Sequence, residues 1–243
     1  MECEAAELAM LKGEWKPQRD PTALLVGNYL HSYFESPEAH QAFLDEHQEI
    51  LATTGKNRGQ PKAAFQVADK MIHALESDEL FKGLYRGEKE VIVTGNIGGV
   101  DWMGKLDCYV GSAKEPYFVD LKTTKDIHER YWIDEDGGRW GSFIEKYRYQ
   151  LQMAVYQELI RQQYDIEARP LIVAVSKQDP PDKAIVEIPQ DDLDEWLNHV
   201  IEAQDRIQAV KNGEVEPTRC EQCEYCRATK KLSGVVSMYD LIE

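Results

Sequence analysis

With 243 residues, 42% hydrophobic and 30% of them charged, the chain can bury one sizeable core and has the composition of an ordinary globular protein, which excludes disordered and fibrous classes. No apolar run approaches the roughly 18 to 20 residues that span a bilayer, and Met1-Glu-Cys-Glu-Ala-Ala-Glu7 lacks a basic and an apolar leader region, so a cytoplasmic protein with no membrane partner is expected. A formal charge of -16 argues against indiscriminate nucleic-acid binding, which relies on lysine and arginine neutralising phosphates, and leaves room for a local basic groove.

The first stretch, Glu4 to about Gly13, has helical composition with Ala5, Leu8, Ala9 and Leu11 on one apolar face; Gly13 and Pro17 end it. Asp20-Pro21 supplies an N-cap and a first-turn proline for a helix over Thr22 to Phe34. There Leu24, Gly27, His31 and Phe34 recur at spacings of three and four, which predicts His31 on the buried stripe, either as a hydrogen-bonded core histidine or as a ligand. Gly27, one turn earlier, allows close approach of another backbone or a ligand. Ser36-Pro37 opens a helix to about Ile50, and Pro61 opens one to Glu76 with Ala64, Ala68, Met71, Ile72 and Leu75 inward. Between them, Lys56, Arg58 and Lys62 are either solvated or placed to hold a phosphate at a helix start.

From Glu88 the pattern becomes β-rich. Glu90 to Thr94, Val100 to Val110 and Tyr117 to Thr124, separated by Gly-rich turns, predict an antiparallel meander. Trp132 to Gly141 reads as a loop of aromatic and acidic residues around Gly137-Gly138, long enough to act as a flap. Ser142 to Tyr164 reads as one long helix with Tyr149, Gln152 and Tyr156 along one side and Leu151, Val155 and Leu159 along another. The apolar run Pro170 to Ser176 suits a strand buried on both faces, at the sheet centre. Lys183 to Ile188 follows as an alternating strand and Asp191 to Val210 as an amphipathic helix. This order predicts an α/β fold, a mixed sheet flanked by helices. One domain over residues 1–243 is expected, with 214–243 a cysteine-bearing segment packing back near the N-terminus.

The chemistry concentrates in Gly104-Lys-Leu-Asp-Cys-Tyr109 and Phe118-Val-Asp-Leu-Lys-Thr-Thr124. Alternate side chains of a strand share a face, so Asp120 and Lys122 point one way and Val119 and Leu121 the other. Asp107 is expected to end the neighbouring strand, and pairing across the Gly111 to Pro116 turn brings it close to Asp120. Converging carboxylates repel unless a cation lies between them, and hard oxygen ligands suit Mg²⁺ or Mn²⁺. A nearby ammonium can orient a metal-activated water. The plain alternative is two strand-end acids and a surface lysine. Basic residues for a groove are the Gly55 to Lys62 loop, Lys125, Arg130, Arg139, Lys146 and Arg148.

There are five cysteines: Cys3, Cys108, Cys220, Cys223 and Cys226. In a cytosolic chain the last three, spaced Cys-x-x-Cys-x-x-Cys, point to ligands rather than disulfides. With Cys3 as the remote fourth thiolate they suit a 4Fe-4S cluster; zinc also accepts four thiolates, and plain reduced thiols are the remaining reading. Cys108 reads as a small core residue.

With His31, Asp107, Asp120-x-Lys122 and Gln152-Met-Ala-Val-Tyr156 in this order, the chain resembles the PD-(D/E)XK nuclease superfamily, and within it the RecE- and RecB-like exonucleases of phages and prophages. The resemblance implies a restriction-endonuclease-like core, His31, Asp107 and Asp120 as metal ligands, Lys122 assisting the attacking water, and Gln152 and Tyr156 supporting the site. It implies a Mg²⁺-dependent exonuclease on linear duplex DNA ends, 5′ to 3′, serving phage-type recombination. A homo-oligomer and a single-strand annealing protein are the partners it suggests. Relatives with one early and three late cysteines hold a 4Fe-4S cluster, although their late spacing is usually wider than that of Cys220, Cys223 and Cys226. The competing functions are a non-catalytic DNA-end-binding protein on a nuclease scaffold and an iron-sulfur assembly or redox protein.

Overall fold

The computed structural model describes residues 3–18, 20–134, 137–232 and 234–241. They fall into two compact units, Met1–Asp20 with Ala203–Glu243, and Pro21–Glu202. The smaller unit begins with α1 (Glu4–Leu11).

The larger unit opens with α2 (Thr22–Glu35) and α3 (Pro37–Glu46). Ser36 separates them: it is extended, and its hydroxyl accepts the Ala39 N–H at 3.0 Å, so it ends one helix and caps the next, with Pro37 at the first position. The helix expected to reach Ile50 stops at Glu46, and a 3-10 turn covers Gln48–Ile50. Pro61 bridges Leu51 in extended form, so α4 begins only at Ala63 and runs to Glu76. A short α5 (Glu79–Leu84), not expected from the sequence, is started by Asp78, whose carboxylate accepts the N–H groups of Leu80 and Phe81.

The meander forms as expected, with β1 (Glu88–Ile97), β2 (Val100–Val110) and β3 (Tyr117–Thr124) antiparallel in sequence. The stretch expected to be a loop over Trp132 to Gly141 is instead an antiparallel pair, β4 (Tyr131–Ile133) and β5 (Arg139–Gly141), closed by the facing Trp132 and Trp140. Of its acids, Glu135 and Asp136 lie outside the described residues. The single helix expected from Ser142 is broken into α6 (Phe143–Lys146) and α7 (Tyr149–Tyr164) by Arg148, whose φ is 53°. A non-glycine residue in that left-handed region costs about 1–2 kcal/mol.

β6 (Arg169–Ser176) pairs parallel with β3, and β7 (Lys183–Glu187) pairs antiparallel with β6. The order β1-β2-β3-β6-β7 puts β3 in the centre; β6, expected there, is second from the edge. The sequence misled because β3 and β6 are both covered on two faces. Val93, Leu106, Phe118 and Ile172 face a core closed by Met153, Leu159 and Ile160 of α7 and by Leu193 of α8 (Gln190–Asn212). Val119, Leu121, Val173 and Val175 face a second core with Leu30 of α2, Phe65, Met71 and Leu75 of α4 and Phe81 of α5. Each such side chain contributes about 1.5–3 kcal/mol on burial.

α8 passes from the larger unit into the smaller at Glu202. In the smaller unit α9 (Glu224–Ala228) meets α1, and a buried cluster joins Cys3, Ala5 and Cys226, flanked by Ala6, Cys223 and Tyr225. Among the described residues no helix is long and apolar enough to cross a membrane.

Candidate active site

The site forms where the sheet forks. β2 and β3 pair at Val110–Tyr117, Tyr109–Phe118 and Cys108–Val119; beyond that β2 stays with β1 while β3 continues along β6. On the other side of β2 the register passes from Lys89–Cys108 to Val91–Leu106, and Glu90 between them takes φ 55°. The alternation of side chains reverses here, since Leu106 and Tyr109 share one core and Cys108 belongs to the other. Asp107, at the reversal, therefore lies within β2, not at its end. Its Oδ2 accepts the Leu121 N–H at 2.6 Å, and its Oδ1 meets Nδ1 of His31 at 3.2 Å. Its backbone carbonyl accepts the Tyr85 hydroxyl at 3.2 Å.

His31 reaches Asp107 because α2 is turned differently from the stripe expected. Val26, Tyr29, Leu30 and Ser32 are the buried positions, and Leu24 is exposed, so His31 flanks the core and looks into a cleft. The helix is apolar over much of its circumference, and the buried stripe through Val26, Tyr29 and Leu30 is more apolar than the one through Leu24, Gly27, His31 and Phe34. Tyr29 fixes the choice by donating to Asp69 of α4 at 2.7 Å. Gly27 also lines the cleft; a Cβ there would stand 4.0 Å from Thr123 Oγ1, so ordinary packing does not demand glycine.

Asp120 is almost fully buried. Its Oδ1 accepts Gln152 Nε2 at 3.1 Å, and its Oδ2 meets Lys122 Nζ at 2.5 Å. Gln152 also donates to the Tyr156 hydroxyl at 3.1 Å. Tyr156 explains Gly104, because a Cβ at position 104 would lie 2.7 Å from its ring. The glycine of Gly-x-x-Asp and the tyrosine of Gln-x-x-x-Tyr thus occupy one volume.

The two acids differ electrostatically. Burial opposes ionisation of Asp107, but the His31 contact, the Leu121 N–H and Lys122 outweigh it and hold its carboxyl below the usual range. Burial pushes Asp120 up to about 6, with the Asp107 charge adding to the shift and Lys122 opposing it. Burial likewise works against charge on His31 and Lys122, yet Asp107 raises the first and Asp120 the second.

His31 and Lys122 open on a cleft of about 540 Å³ that is also lined by Lys125, Lys177, Tyr131, Tyr147 and Tyr149. Of the basic residues proposed from sequence for a groove, Lys125 is here; Arg130 instead lies over the Trp140 ring, and Arg139 is paired with Glu145. Lys56, Arg58 and Lys62 are exposed and do not line it. Lys177, Tyr131 and Tyr147 were not singled out. Lys177 follows β6, and its N–H donates to the Thr124 carbonyl at 2.9 Å, so parallel pairing carries it to the end of β3.

In the smaller unit Cys3, Cys220, Cys223 and Cys226 place their sulfurs within 4.8 Å of one another, with 3.4 Å between those of Cys3 and Cys226. The loop wraps them with N–H donors: Cys220 to Cys3 Sγ, Cys223 to Cys220 Sγ and Cys226 to Cys223 Sγ. Backbone N–H groups of Gln222 and Cys223 lower the Cys220 thiol to about 6, while burial and the adjacent thiols push Cys226 up to about 12. Four thiols this close cannot all ionise without a cation. Cys108 is buried in the larger unit and accepts Lys89 Nζ at 3.3 Å.

A mixed sheet flanked by helices, with Asp107 and Asp-x-Lys at a fork of its central strands, defines the PD-(D/E)XK nuclease class of fold. The chain belongs to the family described as a PDDEXK-like domain of unknown function, whose model matches residues 1–229. Among solved structures it is similar to a "Putative exonuclease" from Eubacterium rectale, with 37% identity, a TM-score of 0.87, and coverage of 100% of this chain and 86% of that one. The structure called SSO0001 is 15% identical over 86% of this chain and 95% of its own, and its TM-score of 0.33 is too low to carry a likeness. No curated protein matches the chain.

Proposed function

We propose that the protein is a metal-dependent exodeoxyribonuclease that hydrolyses phosphodiester bonds from the ends of linear duplex DNA. The observation that carries the reading is a cleft whose charged lining is Lys122, Lys125, Lys177, His31 and one acid, Glu129, in a chain of net charge -16. Asp107 and Asp120 balance His31 and Lys122, and Glu129 balances Lys125, so attraction for a polyanion would come from Lys177 together with the divalent cation that the two buried acids would hold. The name carried by the Eubacterium rectale neighbour supports exonuclease action. The family resemblance supports 5′-to-3′ resection in phage-type recombination.

Two carboxylates and an imidazole suit a hard divalent ion by their chemistry, and this set would have to draw together around it, since among the described residues the four cysteines alone bring their ligand atoms to one point as they stand. Asp107 uses one lone pair of each oxygen on His31 and Leu121 and keeps others, since a carboxylate offers about four acceptor sites. Asp120 is buried beside a second acid with Lys122 as its cation, an arrangement that a metal ion would relieve. His31, Asp107 and Asp120 would hold Mg²⁺ or Mn²⁺. When bound, such an ion polarises the scissile phosphate and makes water nucleophilic near neutral pH. The residues of the chain do the rest. Lys122, freed in part from Asp120, orients the attacking water and balances charge on the phosphate. Gln152 and Tyr156 hold the Asp120 carboxylate in one orientation. The water oxygen bonds to phosphorus and gives up a proton to solvent, the bond to the leaving oxygen breaks, and that oxygen takes up a proton from solvent.

The four thiols are proposed to hold one metal ion. Around a single tetrahedral zinc with bonds of about 2.3 Å the sulfurs stand about 3.8 Å apart. The observed separations, all within 4.8 Å, suit that better than a 4Fe-4S cluster, in which each thiolate binds a different iron and the sulfurs must stand wider.

The direct test compares the wild type with Asp120→Ala and Lys122→Ala on linear and closed-circular duplex DNA with Mg²⁺. Release of nucleotides from linear DNA alone, lost in both variants, is expected. Equal activity in the variants would sink the site, and cutting of closed circles would replace the exonuclease with an endonuclease.

A further inference from the structure

The cleft holds more aromatic surface than the hydrolytic residues use. Tyr131, Tyr147 and Tyr149 line it together. Their ring centroids are 5.9 Å apart for Tyr131 and Tyr147 and 5.8 Å apart for Tyr147 and Tyr149. Lys122 Nζ lies 4.7 Å from the centre of the Tyr149 ring, so the tyrosines run from the catalytic lysine outward.

The backbone is bent to make this row. In an unbroken helix Tyr147 and Tyr149 would project about 200° apart. The left-handed Arg148 between them breaks the helix, and both rings line the same wall. Strained non-glycine residues persist where the surrounding structure holds them, and they cluster at ligand sites. Core packing does not account for the whole row, since Tyr147 is 55% exposed. Lys125 and Lys177 line the same cleft. Among the described residues that line it the one acidic side chain, Glu129, is occupied by Lys125 at 3.3 Å and the Tyr131 hydroxyl at 3.0 Å.

We infer that Tyr147, backed by Tyr131 and Tyr149, is a base-stacking platform for an unpaired nucleotide at the strand end, beside the phosphate that is cut. The placement beside the scissile phosphate rests on the nuclease reading above; the stacking itself does not. Stacking needs a base with a free face, which a paired base inside a duplex lacks. A volume of about 540 Å³ falls in the range of about 300–1,000 Å³ typical of sites for ligands of nucleotide size. An end pair offers the ring one outer face and an unpaired base offers two, so strand ends already unpaired would be the better substrates.

The experiment uses the full chain, with Tyr147→Ala and Tyr147→Phe, and a deoxythymidine 12-mer ending in 2-aminopurine. Binding is read in Ca²⁺ from quenching of the 2-aminopurine, and hydrolysis in Mg²⁺ is measured on the same oligonucleotide and on a blunt duplex. The wild type should quench the single-stranded probe and show the lower KM on it. Tyr147→Ala should lose the quenching and raise KM about ten-fold, the loss expected for one base–aromatic stack, with kcat changed less. Tyr147→Phe should restore both, because it keeps the ring. Wild-type quenching and KM in Tyr147→Ala, at an unchanged thermal midpoint, would overturn the platform, as would quenching of the probe only when it is paired. If no form hydrolyses DNA but quenching depends on the Tyr147 ring, the platform stands and the nuclease reading fails. Hydrolysis without any quenching would overturn the platform and leave the nuclease standing.

Discussion

Asp107 Oδ2 accepts the backbone N–H of Leu121 at 2.6 Å, across the point where β2 and β3 stop pairing. The carboxylate takes the place of a ladder partner, so one side chain both closes the fork and presents its remaining lone pairs to the site. Structure and chemistry then separate on substitution. Asp107→Ala should leave a buried N–H without an acceptor and cost about 1–3 kcal/mol in urea unfolding. Asp107→Asn keeps an oxygen acceptor and should recover most of that stability, yet DNA hydrolysis should stay lost because the negative charge is gone. Recovery of activity together with stability in Asp107→Asn would assign Asp107 to the fold alone.

Gly104 and Tyr156 give a second separation. A Cβ at position 104 would overlap the Tyr156 ring at 2.7 Å, and Tyr156 in turn touches Gln152, which holds Asp120. Overpacking of this kind costs about 1–3 kcal/mol. Gly104→Ala should lower both the unfolding midpoint and DNA hydrolysis. In Gly104→Ala/Tyr156→Ala the volume is free again, so the two losses of stability should add to less than their sum. Strict additivity would mean that the ring and the glycine do not share the space.

The same pair shows what a sequence discloses and what it hides. Asp120 and Lys122 are legible from the period of one strand and Gln152 and Tyr156 from one helix face, but Gly104 and Asp107 stand out only through the family order that joins them, because the alternation of β2 reverses at Asp107. The helix break at Arg148 was not legible, since nothing about arginine marks a left-handed backbone and the apolar period continues through it. Lys177 was hidden because only the parallel pairing of β3 with β6 brings it to the cleft, across more than fifty residues of chain. His31 was found for an incomplete reason: the helix offers two stripes, and the Tyr29–Asp69 bond selects the one that leaves His31 beside the cleft. The centre of the sheet was misplaced because burial on both faces describes β3 and β6 alike.

In the smaller unit Glu4 ties the chain ends together, accepting Arg206 at 2.9 and 2.8 Å and the Thr218 N–H at 2.7 Å. The Arg206 bonds, then the Thr218 N–H, lower its carboxyl to about 2 against an ordinary 4.5. A depressed carboxyl contributes stability that is present above its unfolded pKa and is lost as pH falls through the folded one. Protection of the Thr218 amide against hydrogen exchange should therefore weaken between about pH 4.5 and 2 in the wild type, relative to intrinsic exchange. Glu4→Gln should be less protected at neutral pH and show a flatter profile over that window. Parallel profiles for the two proteins would remove Glu4 from the acid response.

The cysteines supply the last prediction. Among the described residues the buried apolar side chains of the smaller unit are only Cys3, Ala5, Ala9, Val210 and Cys226, few and small, and small units of this kind are commonly secured by metal. Binding of one ion by four thiolates couples its affinity to folding. Protein purified without chelator should contain one zinc per chain. Cys226→Ser should lose that zinc and the ordered amides of residues 218–228, while the larger unit keeps its exchange protection. Four irons with four sulfides per chain, and a visible absorption band, would show instead that the thiols open to hold a cluster. Protein free of both metals with the same amides protected would leave the four thiols as packing alone.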